Sequence, residues 1–232
     1  MTYRKTIFAN NEIYHVINRT IAGSPLFLNS YDSSRFLKTL EYYHYQNVPM
    51  RFSHYKNLTL DDQDRIMNDL KEKKKYLIQI IAFCLMTNHV HFLVKQLENN
   101  GTSIFMSKLQ NSYAKYFNLK HKRKGSLFQS MFKAVRIEDD EQLVHVSRYI
   151  HLNPYTAYLC KIENLKEYPW SSYPYYLNPK SYSYTFLSPN LVLDLFKDSK
   201  AYEKFVFDQA EYQKGLENIK HLILEKYFKE KK

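Results

Sequence analysis

The chain has 232 residues, 34 Lys+Arg against 23 Asp+Glu, a formal net charge of +11 and 44% hydrophobic residues. That apolar share excludes a disordered chain, and a content of 4 Gly and 7 Pro excludes collagen-like sequence and any Gly-rich phosphate loop. Two cysteines, Cys84 and Cys160, cannot build a disulfide framework, so a reducing compartment is expected. The opening Met1–Ile7 carries no apolar signal region, and the longest near-apolar run, Leu77 to Met86, is too short to span a bilayer. A cytoplasmic, nucleoid-associated protein with no membrane partner is the expectation.

Glu12–Arg19 (EIYHVINR) reads as a strand, and Gly23-Ser-Pro25 as a turn. Asp32 or Ser33 caps a helix to about Gln46, with Phe36, Leu37, Leu40 and Tyr43 on one stripe. Residues 47–57 read as irregular. Leu58 to Lys75 reads as a solvated helix, acidic at its start and lysine-rich at its end, as the helix dipole favours. Leu77–Met86 and His89–Lys95 read as two strands of a hairpin turning at Thr87-Asn88. Thr102 or Ser103 caps the next helix, which runs to about Leu119. A basic loop, His121–Gly125, and a strand, Phe132–Ile137, follow. Asp139 or Asp140 then caps a helix to about Leu152, stopped by Pro154. Strands and helices in this order predict an α+β fold, a mainly antiparallel sheet with helices on its faces. After residue 154 the composition shifts. One domain over 1–154 is therefore expected, then an aromatic-rich segment around 168–176 and a helical extension from Tyr202 to Tyr227, together spanning 155–232.

The charge is uneven along the chain. Residues 99–137 contain no Asp or Glu, yet hold Lys108, Lys115, Lys120, Lys122, Arg123, Lys124, Lys133 and Arg136. Tyr113, Tyr116, Phe117, Phe128 and Phe132 interleave with them. Cations for phosphates and flat rings for bases are what a nucleic-acid binder needs. A basic, solvated helix face is the plainer reading, and an AT-rich codon bias would by itself raise the count of 22 Tyr.

Two short patterns carry chemistry. In His89-Val90-His91 the imidazoles lie at i and i+2 of a strand, so both face one side and can reach one ion. Alone this is weak, because 9 His in 232 residues produce such pairs by chance. In Tyr149-Ile-His-Leu-Asn153-Pro the Tyr149 hydroxyl and the Asn153 amide lie at i and i+4, with His145 one turn earlier. Alone this reads as a core helix with Asn153 capping its end. Together the patterns give two imidazoles and one amide oxygen, a donor set that suits Mn²⁺, Mg²⁺ or Zn²⁺ with positions open for a phosphate oxygen. A tyrosine beside such an ion becomes a nucleophile despite a free pKa of about 10.

Longer stretches then become familiar. Met86-Thr-Asn-His-Val-His-Phe-Leu-Val94 resembles the His-hydrophobic-His motif of single-tyrosine (HUH) transposases. Gly125–Lys133, Tyr149–Pro154 and Tyr168–Tyr173 follow in the order seen in REP-associated tyrosine transposases, and Tyr14–Arg19, Leu26-Phe27 and Asp32–Leu40 fit as well. The resemblance spans about residues 11–178. It implies a ferredoxin-like antiparallel sheet with the HUH strand central. It implies Mg²⁺ or Mn²⁺ held by His89, His91 and Asn153, and attack by Tyr149 on single-stranded DNA. A 5′-phosphotyrosine and a free 3′-OH would result, and a second transesterification would join strands. Relatives recognise a DNA hairpin. By charge that contact falls on Lys108, Lys115, Lys120, Lys122, Arg123, Lys124, Lys133 and Arg136, with Arg19 as a further contact. Thr87 stands where relatives commonly have Pro, and Met131 where a basic residue is common. The 47–75 segment is longer than in compact relatives. A non-catalytic binder of structured DNA or RNA on the same fold is the alternative, and a phosphoesterase using activated water is a third. Monomer or homodimer both remain open.

Overall fold

The computed structural model describes residues 6–179 and 184–215. Four strands form one antiparallel sheet: β1 (Ile13–Arg19), β2 (Ile78–Met86), β3 (His89–Gln96) and β4 (Lys133–Ile137), in the order β2-β3-β1-β4. Between β1 and β2 lie α1 (Ser30–Tyr43), α2 (Phe52–Tyr55) and α3 (Leu60–Lys73). Between β3 and β4 lies α4 (Gly101–Lys120), and α5 (Asp140–Thr156) follows β4. This is the ferredoxin-like arrangement with extra helices. The motif strand β3 is central, flanked by β2 and β1, as the resemblance implied.

Strand alternation sorts the sheet's side chains between two faces. Tyr14, Val16, Val90, Phe92 and Val94 share one face. There Phe92 stacks on Phe36 of α1, with centroids 6.3 Å apart, and meets Phe105 of α4 at 6.2 Å. Tyr113 of α4 packs edge-on to Phe36 at 4.9 Å. The other face carries His15, Ile17, Arg19, His89, His91 and Leu93, and α5 covers part of it, with the Tyr149 ring 5.6 Å from His91.

Several expected boundaries move, each for a local reason. α1 is capped by Asn29, whose side chain accepts from the Asp32 amide. Asp32 is thus not a cap: its buried carboxylate accepts from the Leu28 amide, Lys120 Nζ at 2.8 Å, Tyr116 at 3.1 Å and His121 Nε2 at 3.1 Å. Burial alone would raise its pKa, but these hydrogen bonds hold it below the usual carboxylate value. The stretch 47–57 is not wholly irregular, since Phe52 and Tyr55 on α2 are buried against Tyr42. α3 is exposed on most of its surface but buries Leu70 and Gln63. α4 begins at Gly101 after Asn100, without a side-chain cap, and position 101 needs glycine because a Cβ there would lie 2.2 Å from the Leu77 carbonyl. α5 starts on Asp139, which accepts from the Gln142 amide, and runs through Pro154 to Thr156.

Past α5 the chain returns to β2. Leu85 N–H donates to the Trp170 carbonyl, Ser172 N–H to the Phe83 carbonyl and Ser188 N–H to the Ile80 carbonyl. These bonds cover the outer edge of β2, which would otherwise expose unpaired backbone groups. Three short helices complete this part: α6 (Tyr173–Leu177), α7 (Asn190–Leu193) and α8 (Ser199–Phe207). The helix expected over Tyr202–Tyr227 begins at Ser199, is interrupted by a turn at residues 208–209 and is helical again over 210–215, and the stretch beyond residue 215 lies outside the described residues. No helix among the described residues is long and apolar enough to cross a membrane.

His151 seals this attachment. It is fully buried, with Nδ1 2.7 Å from the Tyr202 hydroxyl and Nε2 2.7 Å from Ser172 Oγ. Burial pushes its pKa down to about 3, and that of buried His44 to about 4. Both lie below the unfolded value of 6.5. As pH falls through 6.5 the unfolded chain takes up protons that the folded chain does not. Stability is therefore full above about pH 6.5 and declines between about 6.5 and 3, the His44 part being lost by about 4. Urea unfolding of the wild type and of His151→Phe at pH 7, 6 and 5 should show it. The slope of stability against pH should be shallower in the variant by up to about 1.4 kcal/mol per pH unit.

Candidate active site

The β1–β3 register places His91 opposite Ile17 and His89 opposite Arg19. The two motif imidazoles share a face, with ring centroids 4.9 Å apart. His91 is fully buried, while His89 is half-buried at the strand's start. Tyr149 on α5 stands over this pair, its ring 5.6 Å from His91. The tyrosine thus meets the histidine pair through tertiary packing across about sixty residues of chain.

A third imidazole joins them. His15 Nε2 lies 3.0 Å from His91 Nδ1, and its ring is 5.9 Å from Tyr149. Between two neutral imidazoles one nitrogen donates and the other accepts. When His91 Nδ1–H is the donor, its Nε2 carries the lone pair through which it would hold a metal. At the neighbouring position His89 Nδ1 lies 2.7 Å from Asn88 Oδ1, an acceptor, so Nδ1 carries the hydrogen and Nε2 the lone pair. Sequence reasoning did not single out His15 or Asn88. His15 could have been found by parity, because it lies two strand positions from Ile17, the residue facing His91. The pairing of β1 with β3 had to be known first.

Asn153 lies within α5, not at its end. Pro154 has no N–H, so the helix loses a donor to the Ile150 carbonyl. The Asn153 Nδ2 amide donates to the Tyr149 carbonyl at 2.8 Å and reaches the Ile150 carbonyl at 3.5 Å. Gln213 Nε2 adds a second donor to Tyr149 O at 3.2 Å. With its nitrogen held by the backbone, Asn153 keeps its side-chain oxygen as the acceptor. It lies one turn from Tyr149, on the same helix face. His145, one turn earlier, faces elsewhere: its Nδ1 is 2.7 Å from Arg148 and its ring packs on Phe205 at 5.6 Å.

Two oriented imidazoles and an amide oxygen fit a hard-to-borderline divalent ion with open positions. Among the described residues, no group of three or more His, Cys, Asp or Glu could hold a metal.

The cations expected at nucleic acid separate into groups. Arg19 and Lys133 are exposed and lie on the histidine face, Arg19 opposite His89 and Lys133 opposite Ile17. Lys108 and Lys115 lie on α4, which packs on the other face. Lys120 is bound to Asp32, Arg136 to Glu12 at 2.9 Å, and Arg123 to Asn118 and the carbonyls of Gly125 and Ser126. Lys122 and Lys124 are exposed in the loop between. The single basic stretch of the sequence is therefore not a single surface.

The fold and site define an α+β domain that brings a helix-borne tyrosine against three histidines of its sheet. The family model for IS200-like transposases matches residues 38–153, half of the chain, and the match includes His89, His91, Tyr149 and Asn153. The chain belongs to the IS200-like transposase family. Among solved structures it is similar to a REP-associated tyrosine transposase bound to a REP hairpin, at 14% identity and a TM-score of 0.47, over 74% of this chain and 82% of that one. No curated protein matches the chain.

The amide of Asn153 has a structural consequence that can be measured apart from activity. Asn153→Ala removes the donor to Tyr149 O and Ile150 O and should cost about 1 kcal/mol of stability. Asn153→Gln should recover part of it. Denaturant midpoints of the two variants against wild type test this.

Proposed function

We propose that this chain is a single-strand DNA endonuclease and strand transferase that uses Tyr149 as its nucleophile. The observation that carries the reading is the Tyr149 ring packed within 6 Å of both His91 and His15, on the sheet face that also bears His89. The membership of the IS200-like transposase family supports it.

In this reading the Tyr149 oxygen attacks a phosphorus of the DNA strand. The bond from phosphorus to the 3′-oxygen breaks, a 5′-phosphotyrosine forms, and the phenol proton ends on the departing 3′-oxygen. A 3′-hydroxyl from another strand then attacks the same phosphorus and releases the tyrosine. No net bond energy is lost, because one phosphodiester replaces another. A Mg²⁺ or Mn²⁺ ion held by His89, His91 and Asn153 would polarise the phosphoryl oxygen and stabilise transition-state charge. The protein's own part is positional. β3 fixes the two imidazoles, His15 and Asn88 hold their Nδ1 atoms, and α5 sets the phenol above them. Arg19 and Lys133, exposed on the same face, supply positive charge where a DNA strand would approach. The substrate proposed is a single strand next to a DNA hairpin.

The test is a covalent-adduct assay. Wild-type protein is incubated with labelled single-stranded hairpin oligonucleotides and Mn²⁺ or Mg²⁺, then run on a denaturing gel. A labelled band at protein mass is expected, absent without metal, absent in His89→Ala and absent in Tyr149→Phe. Tyr149→Phe should still bind DNA. Normal cleavage by Tyr149→Phe would sink the nucleophile assignment. Hairpin binding with no cleavage of any oligonucleotide, the element's own flanks included, would favour the non-catalytic binder, and free cut DNA without adduct would favour activated water.

His15 supplies a second prediction. His15→Phe keeps the ring but removes the partner of His91 Nδ1. It should weaken Mn²⁺ binding about 10- to 100-fold, as loss of such an orienting partner typically does. Isothermal titration with Mn²⁺ reads this without any DNA.

A further inference from the structure

The chain beyond α7 runs along α5, the helix that carries Tyr149. The Tyr202 hydroxyl of α8 lies 3.0 Å from Ser147 Oγ and 2.7 Å from His151 Nδ1. The Arg148 guanidinium stands 4.2 Å over the Phe205 ring, and it donates to the Phe205 carbonyl at 3.3 Å. After the turn at residues 208–209 the chain is helical again over 210–215, where Gln213 N–H donates to the Gln209 carbonyl. Contacts from residues 202 to 214 thus follow α5 from Ser147 to Tyr155. The tyrosine helix is held by the sheet and also by this later segment.

One contact falls on the backbone of Tyr149 itself. Gln213 Nε2 donates to the Tyr149 carbonyl at 3.2 Å, beside Asn153 Nδ2 at 2.8 Å. The Asn153 bond comes from the same helix, whereas the Gln213 bond closes a separation of 64 residues. A carbonyl within a helix ordinarily accepts from the amide four residues on. The side-chain donors are therefore not needed to satisfy that oxygen, and what they add is position. Position is at issue here because Pro154 breaks the hydrogen-bond ladder of α5, and a broken ladder is where a helix can bend.

The turn that bears Gln213 is itself pinned to α5. The Tyr155 hydroxyl donates to Glu211, and Lys214 Nζ lies 3.3 Å from the same hydroxyl. The Lys214 ammonium also stands 4.4 Å from the Tyr155 ring centre and 4.8 Å from that of Tyr158. The bond to Glu211, more than burial, raises the Tyr155 pKa above the ordinary tyrosine value, so the phenol keeps its proton as a donor. Glu211 is exposed, and exposed polar contacts contribute little to stability. Their effect is geometric, because they set where Gln213 meets the helix. The segment lies beyond the family match, which ends at residue 153.

We propose that Gln213 is a positioning residue for Tyr149, and that Tyr155, Glu211 and Lys214 hold the turn that carries it. This rests on the reading of Tyr149 as the nucleophile. A nucleophile displaced by about 1 Å can lose about 100-fold in rate, and a donor on its own carbonyl restrains such a shift.

The test uses the full-length chain, two variants and two readouts. Gln213→Ala removes the donor, and Gln213→Lys keeps one at similar reach. Gln213 is only half-buried, so both variants should fold with the wild-type denaturant midpoint. The first readout is the rate of adduct formation with the labelled hairpin oligonucleotide and Mn²⁺ across a range of DNA concentrations. Gln213→Ala should lower the rate at saturating DNA by about 10- to 100-fold. The half-saturating DNA concentration should not change, and Gln213→Lys should regain most of the rate. The second readout is the fluorine NMR signal of fluorotyrosine placed at position 149 alone. Wild type and Gln213→Lys should share one resonance, and Gln213→Ala should shift or broaden it. A wild-type rate in Gln213→Ala overturns the proposal, and so does an equal loss in both variants. A fluorine resonance that Gln213→Ala leaves in place overturns it as well. If no protein forms an adduct, the nuclease reading fails, and a resonance that still follows the donor leaves the positioning of Tyr149 standing.

Discussion

The structure depends on the position of β3 inside the sheet. A strand with neighbours on both sides has its backbone fully paired and its twist fixed, so its side chains point along set directions. His89 and His91 take their orientation from that rigidity, and the register with β1 brings His15 Nε2 to 3.0 Å from His91. On the opposite face the same strand places Val90, Phe92 and Val94 into the packing against α1 and α4. A slip of one residue would exchange the two sets and put imidazoles into the apolar core. The apolar face thus enforces the orientation of the polar one.

α5 closes the site because of an irregularity. A proline inside a helix costs a hydrogen bond and crowds the preceding turn. Here the Asn153 side chain donates to the carbonyls of Tyr149 and Ile150, so the helix continues to Thr156. The same bonds fix which amide atom of Asn153 donates, and leave its oxygen as the acceptor. His151, between the two functional positions, points the other way into the cluster of Ser172 and Tyr202. Successive residues of one turn therefore serve the site and the attachment of the later chain.

Charge in this protein is organised by partners more than by count. Asp32 draws Lys120 and His121 to the start of α1 and ties the start of α1 to the end of α4. Glu12 holds Arg136. Other cations divide between the two faces of the sheet, Arg19 and Lys133 on one, Arg35, Lys108 and Lys115 of α1 and α4 on the other.

Much of this was written in the sequence, and some was not. Strand parity is local, so His89-Val90-His91 determined by itself that the two imidazoles share a face. Helical periodicity likewise put Tyr149 and Asn153 on one side of α5, and the order of elements determined the α+β class. Caps were harder. Asn29 and Asp32 are both good N-cap residues, and only the approach of Lys120, Tyr116 and His121 decided that Asp32 serves elsewhere. Pro154 reads as a helix stop from local rules, and the side-chain donor that lets the helix pass it is seen only in three dimensions. The basic 108–136 stretch looked like one surface, because sequence records neighbours along the chain and not the sheet that separates them. His15 beside His91 and Tyr149 over both are meetings of distant segments. They depend on strand register and helix docking, which the summed packing of the whole core decides.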